Sequence, residues 1–128
     1  MIGLRHITVR FGKREILNDI SADIAEGRIT AVMGPNGCGK TTLLRCIGGL
    51  LEPQRGEVLV DGTPVGSYSS RRLAQKMAFL RQQSQTDLDF SAFEIVLMGR
   101  NPYQKRLQNE SKADWDIVEH CMKQTHTW

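Results

Sequence analysis

The run GPNGCGKTT at residues 34–42 constrains the fold of this chain more than any other stretch. With glycines at 34 and 39, lysine at 40 and threonine at 41, it fits the pattern G-x-x-x-x-G-K-[ST]. A short apolar run, ITAVM (29–33), precedes it, and TTLLRCIGGLL (41–51) follows. The first reads as a buried strand and the second as a helix. Strand, glycine-rich turn and helix N-terminus in that order form a phosphate cradle. Gly34, Gly37 and Gly39 let the backbone bend so that successive N–H groups point inward, and the positive end of the helix dipole adds to them. Pro35, Asn36 and Cys38 complete the loop. Lys40 would place its ammonium between the β- and γ-phosphates of a nucleotide. The Thr41 hydroxyl would coordinate Mg²⁺, and Thr42 would reach the α-phosphate. A turn that merely uses glycine would not need the Lys-Thr pair in this setting. Cys38 reads as a tolerated small residue whose side chain faces away. The alternative is a redox-sensitive thiol at a helix N-terminus.

Two stretches ahead of the loop read as strands. LRHITVRF (4–11) alternates partially, at Leu4, Ile7, Val9 and Phe11. EILNDISADI (15–24) alternates at Ile16, Ile20, Ala22 and Ile24, with a turn at Gly12-Lys13-Arg14 between the two. Gly27 can supply a positive φ in the turn that leads to residue 29. In the helix, Leu43, Leu44, Ile47 and Leu50 should point inward, and Gly48-Gly49 should lie near its end. EVLVDGTPV (57–65) should be a hairpin around Asp61-Gly62. SSRRLAQKM (69–77) should be a short helix capped by Ser69 or Ser70. MAFLRQQ (77–83) reads as a strand running into a polar loop. SAFEIVLMGR (91–100) has a capping box at Ser91 and Glu94, and Asn101-Pro102 stops it. SKADWDIVEHCMKQT (111–125) opens with Ser111 and Asp114. It sets Ala113, Ile117, Val118, Cys121 and Met122 on one helical face. No internal repeat or low-complexity segment is evident.

Composition narrows the function classes. The 17 Lys and Arg against 14 Asp and Glu leave a formal charge of +3. This mild excess suits an anionic ligand, and no basic tract points to nucleic acid. The apolar run at 43–51 is too short to span a bilayer and contains Arg45. The N-terminus lacks the pattern of a signal peptide. Three cysteines, with no CxxC spacing, suit a reducing compartment. A cytoplasmic chain is expected, one that could still reach a membrane through a partner. His120 and His126 have no metal-ligand spacing and read as surface residues. Arg100, Lys105, Arg106 and Lys112 give a positive bias read as a solvated face.

The surroundings of the loop are specific. EGRITAVMGPNGCGKTTLLRCIGGLLEPQRGEVLVDG (26–62), with ILNDIS (16–21) before it, resembles the ATP-binding subunit of an ABC transporter, and the resemblance runs the length of the chain. It implies an α/β fold: a P-loop NTPase core with an N-terminal antiparallel β subdomain and the start of a helical arm, incomplete relative to the family. The core with its β subdomain would take residues 1–85, and the exit of the Q-loop with the beginning of the helical subdomain residues 86–128. The resemblance implies ATP and Mg²⁺ as cofactors. It places Phe11 where the family stacks an aromatic on adenine. It matches Gln82 to the Q-loop glutamine, which contacts Mg²⁺ and the attacking water, with Lys40 as the other catalytic residue. Arg81 stands where that loop commonly has proline. EIVLMGRNPY (94–103) is similar to the ATPases of importers for iron–siderophore complexes, haem and cobalamin.

Other family elements are not found within these 128 residues. There is no LSGGQ-type signature, no apolar strand ending in Asp-Glu, and no switch histidine. The chain alone is therefore expected to bind ATP but hydrolyse it poorly. The resemblance implies three partners. A second, identical ATP-binding subunit would complete the ATP site. A membrane permease would dock near the Q-loop and residues 84–103. A periplasmic substrate-binding protein would act through the permease. The expected location is the cytoplasmic face of the membrane. Alternatives are a catalytically silent nucleotide-binding module, a soluble ABC-type ATPase of DNA repair or translation, and, less fittingly, a small-molecule kinase.

Overall fold

Both N-terminal strands form, as their alternation predicts. β1 spans Ile2–Phe11 and β2 spans Arg14–Ile24, antiparallel about a turn at Gly12 and Lys13. The computed structural model describes residues 1–81, 90–104 and 109–128. It divides into two compact units, Met1–Phe79 and Leu80–Trp128.

In the first unit β3, Arg55–Val60, pairs antiparallel with the other edge of β1, and β4, Thr63–Pro64, pairs with β3. The sheet order is β2-β1-β3-β4. The expected hairpin turns at Asp61 and Gly62, whose φ angles of 50° and 77° suit a primed two-residue turn. Gly56 is required for a different reason. A Cβ there would sit 2.2 Å from the Arg5 carbonyl oxygen and 2.3 Å from that of His6. α1 runs Lys40–Ile47 and α2 runs Ser70–Lys76. Between the two capping candidates the structure selects Ser69, whose hydroxyl accepts from the Arg72 N–H.

The core joins one face of the sheet to α1. It contains Leu4, Ile7, Val9 and Leu17 from the hairpin, Cys46 and Ile47 from α1, Val58 and Val60 from β3, and Val65. Burial pushes the Cys46 thiol up from its ordinary range. The inward set expected for α1 is thus partly corrected. Ile47 is buried and Leu43 half-buried, but Leu44 and Leu50 are exposed. The helix ends at Ile47, so Leu50 lies beyond it, and it meets the core through Cys46 and Ile47.

Two expected strands do not form among the described residues. Residues 29–33 form no regular element, and Ile29 and Met33 are 102% and 88% exposed. Residues 77–81 likewise join no ladder, and Leu80 is exposed. Continuous apolar runs become strands only when neighbours supply hydrogen bonds on their edges. Neither run has such a neighbour among the described residues. Gln82 and Gln83 lie outside those residues.

The second unit holds α3, Ala92–Met98, and α4, Lys112–Gln124. Both expected capping boxes form, Ser91 with Glu94 and Ser111 with Asp114. A short 3-10 turn at Asn101–Tyr103 follows α3, where Asn-Pro was expected to stop it. α4 buries Asp114, Val118 and Met122, one face at i, i+4, i+8. Ala113, Ile117 and Cys121, expected inward, are exposed. Val118 and Met122 are inward as expected, and Asp114 continues their stripe in place of the other three, its carboxylate accepting from Arg100 Nε at 2.9 Å. Arg100 is therefore no part of a solvated basic face; its guanidinium also stacks 4.3 Å over the Tyr103 ring. Lys105 and Arg106 lie outside the described residues. No helix among the described residues is long and apolar enough to cross a membrane.

Candidate nucleotide site

The loop 34–42 leads directly into α1. Gly39 is the residue before the helix, with φ of 97° and ψ of 6°, a left-handed conformation that glycine adopts without strain. Among the described residues no side chain caps the helix, and its first turn carries no acidic residue. The first amide groups of α1 thus point out of the helix end, beside a positive dipole. Gly37, at φ of 79°, makes the other left-handed bend.

Lys40 folds back over the loop. Its ammonium donates to the carbonyl oxygens of Gly34 at 2.8 Å and Pro35 at 2.7 Å. These bonds hold the cation inside the curve of the loop. The Cys38 N–H reaches the same Pro35 carbonyl at 3.4 Å and tightens the turn. The Cys38 thiol is exposed but does not face away, as its size had suggested. Its Sγ lies 3.9 Å from the Lys40 ammonium and 2.8 Å from where a Cβ on Gly34 would stand. A small residue at 34 is what lets the thiol turn inward. Asn36 and Thr41 are exposed and Thr42 is half-buried.

One support was not read from the sequence. Gly39 rests on β2: a Cβ on it would meet Leu17 Cδ2 at 2.9 Å, and Ile16 Cγ2 and the Ile16 carbonyl oxygen at 3.0 Å each. The loop's pivot is thus seated on the N-terminal hairpin. Leu17 pairs with Val9, and Phe11 pairs with Arg14 at the end of the same hairpin. Phe11 is half exposed, at the hairpin end next to the residues that carry Gly39. Gln82 lies outside the described residues. A cavity of about 440 Å³ lined by Leu51, Val58, Val65, Tyr68 and Leu73 opens elsewhere in this unit, and none of residues 34–42 borders it. Among the described residues no group of three or more His, Cys, Asp or Glu side chains could hold a metal ion.

An open loop with left-handed glycines, a lysine held within it and a helix starting at its end are the features of the P-loop class. Comparison with known proteins supplies the family. Residues 17–127 match the ABC transporter family, and the chain belongs to it. It is 35% identical over 119 residues to the ferric enterobactin transport ATP-binding protein FepC of Escherichia coli (strain K12), covering 93% of this chain and 44% of that protein. It is 38% identical over 120 residues to the hemin import ATP-binding protein HmuV of Plesiomonas shigelloides, covering 94% and 44%. The solved dimeric structure of a bacterial ABC transporter cassette superposes with a TM-score of 0.80 at 26% identity, covering 98% of this chain and 57% of that one. The chain thus spans less than half the length of these curated relatives.

Proposed function

We propose that this chain is the ATP-binding portion of an importer ATPase that couples ATP hydrolysis to uptake of an iron–siderophore, haem or cobalamin-type substrate. The observation that carries the reading is the Lys40 ammonium held inside a loop that leads into the uncapped end of α1. The loop amides of residues 34–39 and Lys40 take the phosphates of ATP. Thr41 holds Mg²⁺ through its hydroxyl, and Thr42 takes the α-phosphate. Phe11 stacks on the adenine. Gln82 joins Thr41 at the metal and positions the attacking water. Bound Mg²⁺ neutralises phosphate charge; the residues of this chain bind and orient.

The substrate class rests on EIVLMGRNPY (94–103) and on the relatives named for ferric enterobactin and hemin. Work on the cytoplasmic face of a membrane follows from it. The permease docks near the Q-loop and residues 84–103, and a periplasmic binding protein delivers substrate to the permease. A second copy completes the ATP site, a reading supported by the dimeric neighbour. A soluble role in DNA repair or translation has no observation in its favour.

Titration calorimetry with ATP and Mg²⁺ tests the site. Lys40→Ala should weaken ATP binding by about tenfold or more, because it deletes a charge-assisted contact to phosphate. Unchanged affinity would remove Lys40 from the site. Residues 1–128 alone should turn ATP over far more slowly than complete transport ATPases, a prediction that a full turnover rate would refute.

A further inference from the structure

The β1–β2 hairpin contains three register shifts, and the first two are insertions of opposite sense, two residues apart. Leu4 faces Ala22 and Ile7 faces Ile20, so Arg5 and His6 stand opposite Ser21 alone. Val9 faces Leu17, so Thr8 stands opposite both Asn18 and Asp19. The first bulge adds a residue to β1 and the second adds one to β2. These two register errors cancel; a third shift, between Val9/Leu17 and Arg10/Glu15, then leaves Ile16 as an extra residue of β2 before Phe11 meets Arg14.

His6 and Asp19 occupy the left-handed region at these bulges, with φ of 52° and 53°. This conformation is uncommon for residues with a Cβ and marks a place where something else holds the backbone. Here it is held reciprocally. The His6 N–H donates to Ser21 Oγ at 2.9 Å, and the Asp19 N–H donates to Thr8 Oγ1 at 3.2 Å. The His6 imidazole Nδ1 then donates to the Asp19 carboxylate at 2.7 Å, tying one bulge to the other. Both side chains are well exposed, at 76% and 67%. A hydrogen bond so exposed contributes little as an attraction. Its geometric consequence is larger. A strand that slips by one residue turns every later side chain to the opposite face. Past these two bulges lie Val9 and Leu17, buried on each other, then Ile16, the extra residue of the third shift, whose carbonyl meets Gly39, then Phe11.

We propose that His6 and Asp19 are positioning residues of the nucleotide site. Their coupled bulges set the register that seats Ile16 and Leu17 under Gly39 and presents Phe11 at the hairpin end. The inference rests on the reading of this loop and Phe11 as the ATP site.

The test compares dissociation constants of the full chain for ATP and for inorganic tripolyphosphate, which share phosphates but not the base. Phe11→Ala should lower the preference for ATP by about fivefold or more, the scale of one base–aromatic stack. His6→Val, which resists a positive φ and cannot bond Asp19, should lower it by a similar factor. His6→Asn, which tolerates the left-handed region and can reach Asp19, should restore it to within about twofold. A role confined to stability would lower Tm and leave the preference intact. If His6→Val does not fold, two deletions decide. Removing residue 6 alone should abolish the preference, and removing residues 6 and 19 together should recover it. A folded His6→Val chain with both constants unchanged, or a double deletion no better than the single one, overturns the proposal. If Phe11→Ala lowers the preference and His6→Val changes neither constant, the bulges have no such role. If Phe11→Ala has no effect while His6→Val weakens tripolyphosphate binding, the adenine contact falls and the register role stands.

Discussion

Gly37 and Gly39 share a left-handed backbone but not a neighbourhood. Nothing lies within 4 Å of a Cβ built on Gly37, whereas one on Gly39 meets Leu17 at 2.9 Å and the Ile16 carbonyl at 3.0 Å. Alanine at 37 therefore meets only the conformational penalty, about 1 kcal/mol. Alanine at 39 meets that penalty and a contact with backbone that cannot turn aside. It should cost about 2–3 kcal/mol and loosen the loop. Thermal melts of the two variants should separate by several degrees, and equal midpoints would show that β2 does not seat the loop. The pattern of glycines was legible in the sequence because each answers to a local bend. The pressure of Leu17 on Gly39 was not, since the two are 22 positions apart. The inward turn of Cys38 was missed for a related reason: residue size does not reveal a rotamer.

At the scale of elements, caps were the most legible features. Ser69, Ser91 and Ser111 each begin the helix their spacing announces. Asp114 does two jobs. It accepts from Ser111 N–H and Oγ, and from Arg100 across from the end of α3. The Ser111 hydrogen bond and then Arg100 hold its carboxyl down to about 2, against an ordinary 3.8. A depressed carboxylate stabilises the folded form above its unfolded value, and that contribution fades as the pH falls through the folded value. The α3–α4 pair should thus hold at pH 4 and above and loosen between about pH 4 and pH 2. Trp115 and Trp128 both belong to this unit, with Trp115 stacked 5.0 Å from Phe93. Tryptophan fluorescence should report the transition, and Asp114→Asn should remove its pH dependence. A profile identical in the variant would assign the acid step elsewhere. The hairpin bulges were half visible. Leu4 to Ile7 and Leu17 to Ile20 each skip three positions where strict alternation would skip two. Such a skip fits an inserted residue in either strand, and only the pairing shows that the two cancel.

For the whole molecule, the segment 29–33 is decisive. Its continuous apolar run matches a strand buried on both faces, yet Ile29 and Met33 stand in solvent and no ladder joins them among the described residues. Exposed apolar backbone of this kind favours association and hydrophobic-dye binding. The double change Ile29→Lys and Met33→Lys should reduce dye fluorescence of the 128-residue chain by about half. It should also move Tm by no more than about 4 °C, because neither side chain contributes to the core. A large drop in Tm would show that these residues are packed. The sequence by itself determined the glycine bends of the loop before α1, the helix starts, the hairpin turn at Asp61-Gly62 and membership of the ABC transporter family. Each of these rests on residues close together in the chain, whose φ preferences, hydrogen-bonding side chains and spacing act locally. Only the tertiary structure decided that Gly39 leans on Leu17, that His6 and Asp19 cancel each other's register shift, and that 29–33 joins no ladder among the described residues. Those outcomes depend on which distant strands supply edges and volume. No window of neighbouring residues encodes that choice, because hydrogen-bond ladders and core contacts are made between segments far apart in the chain.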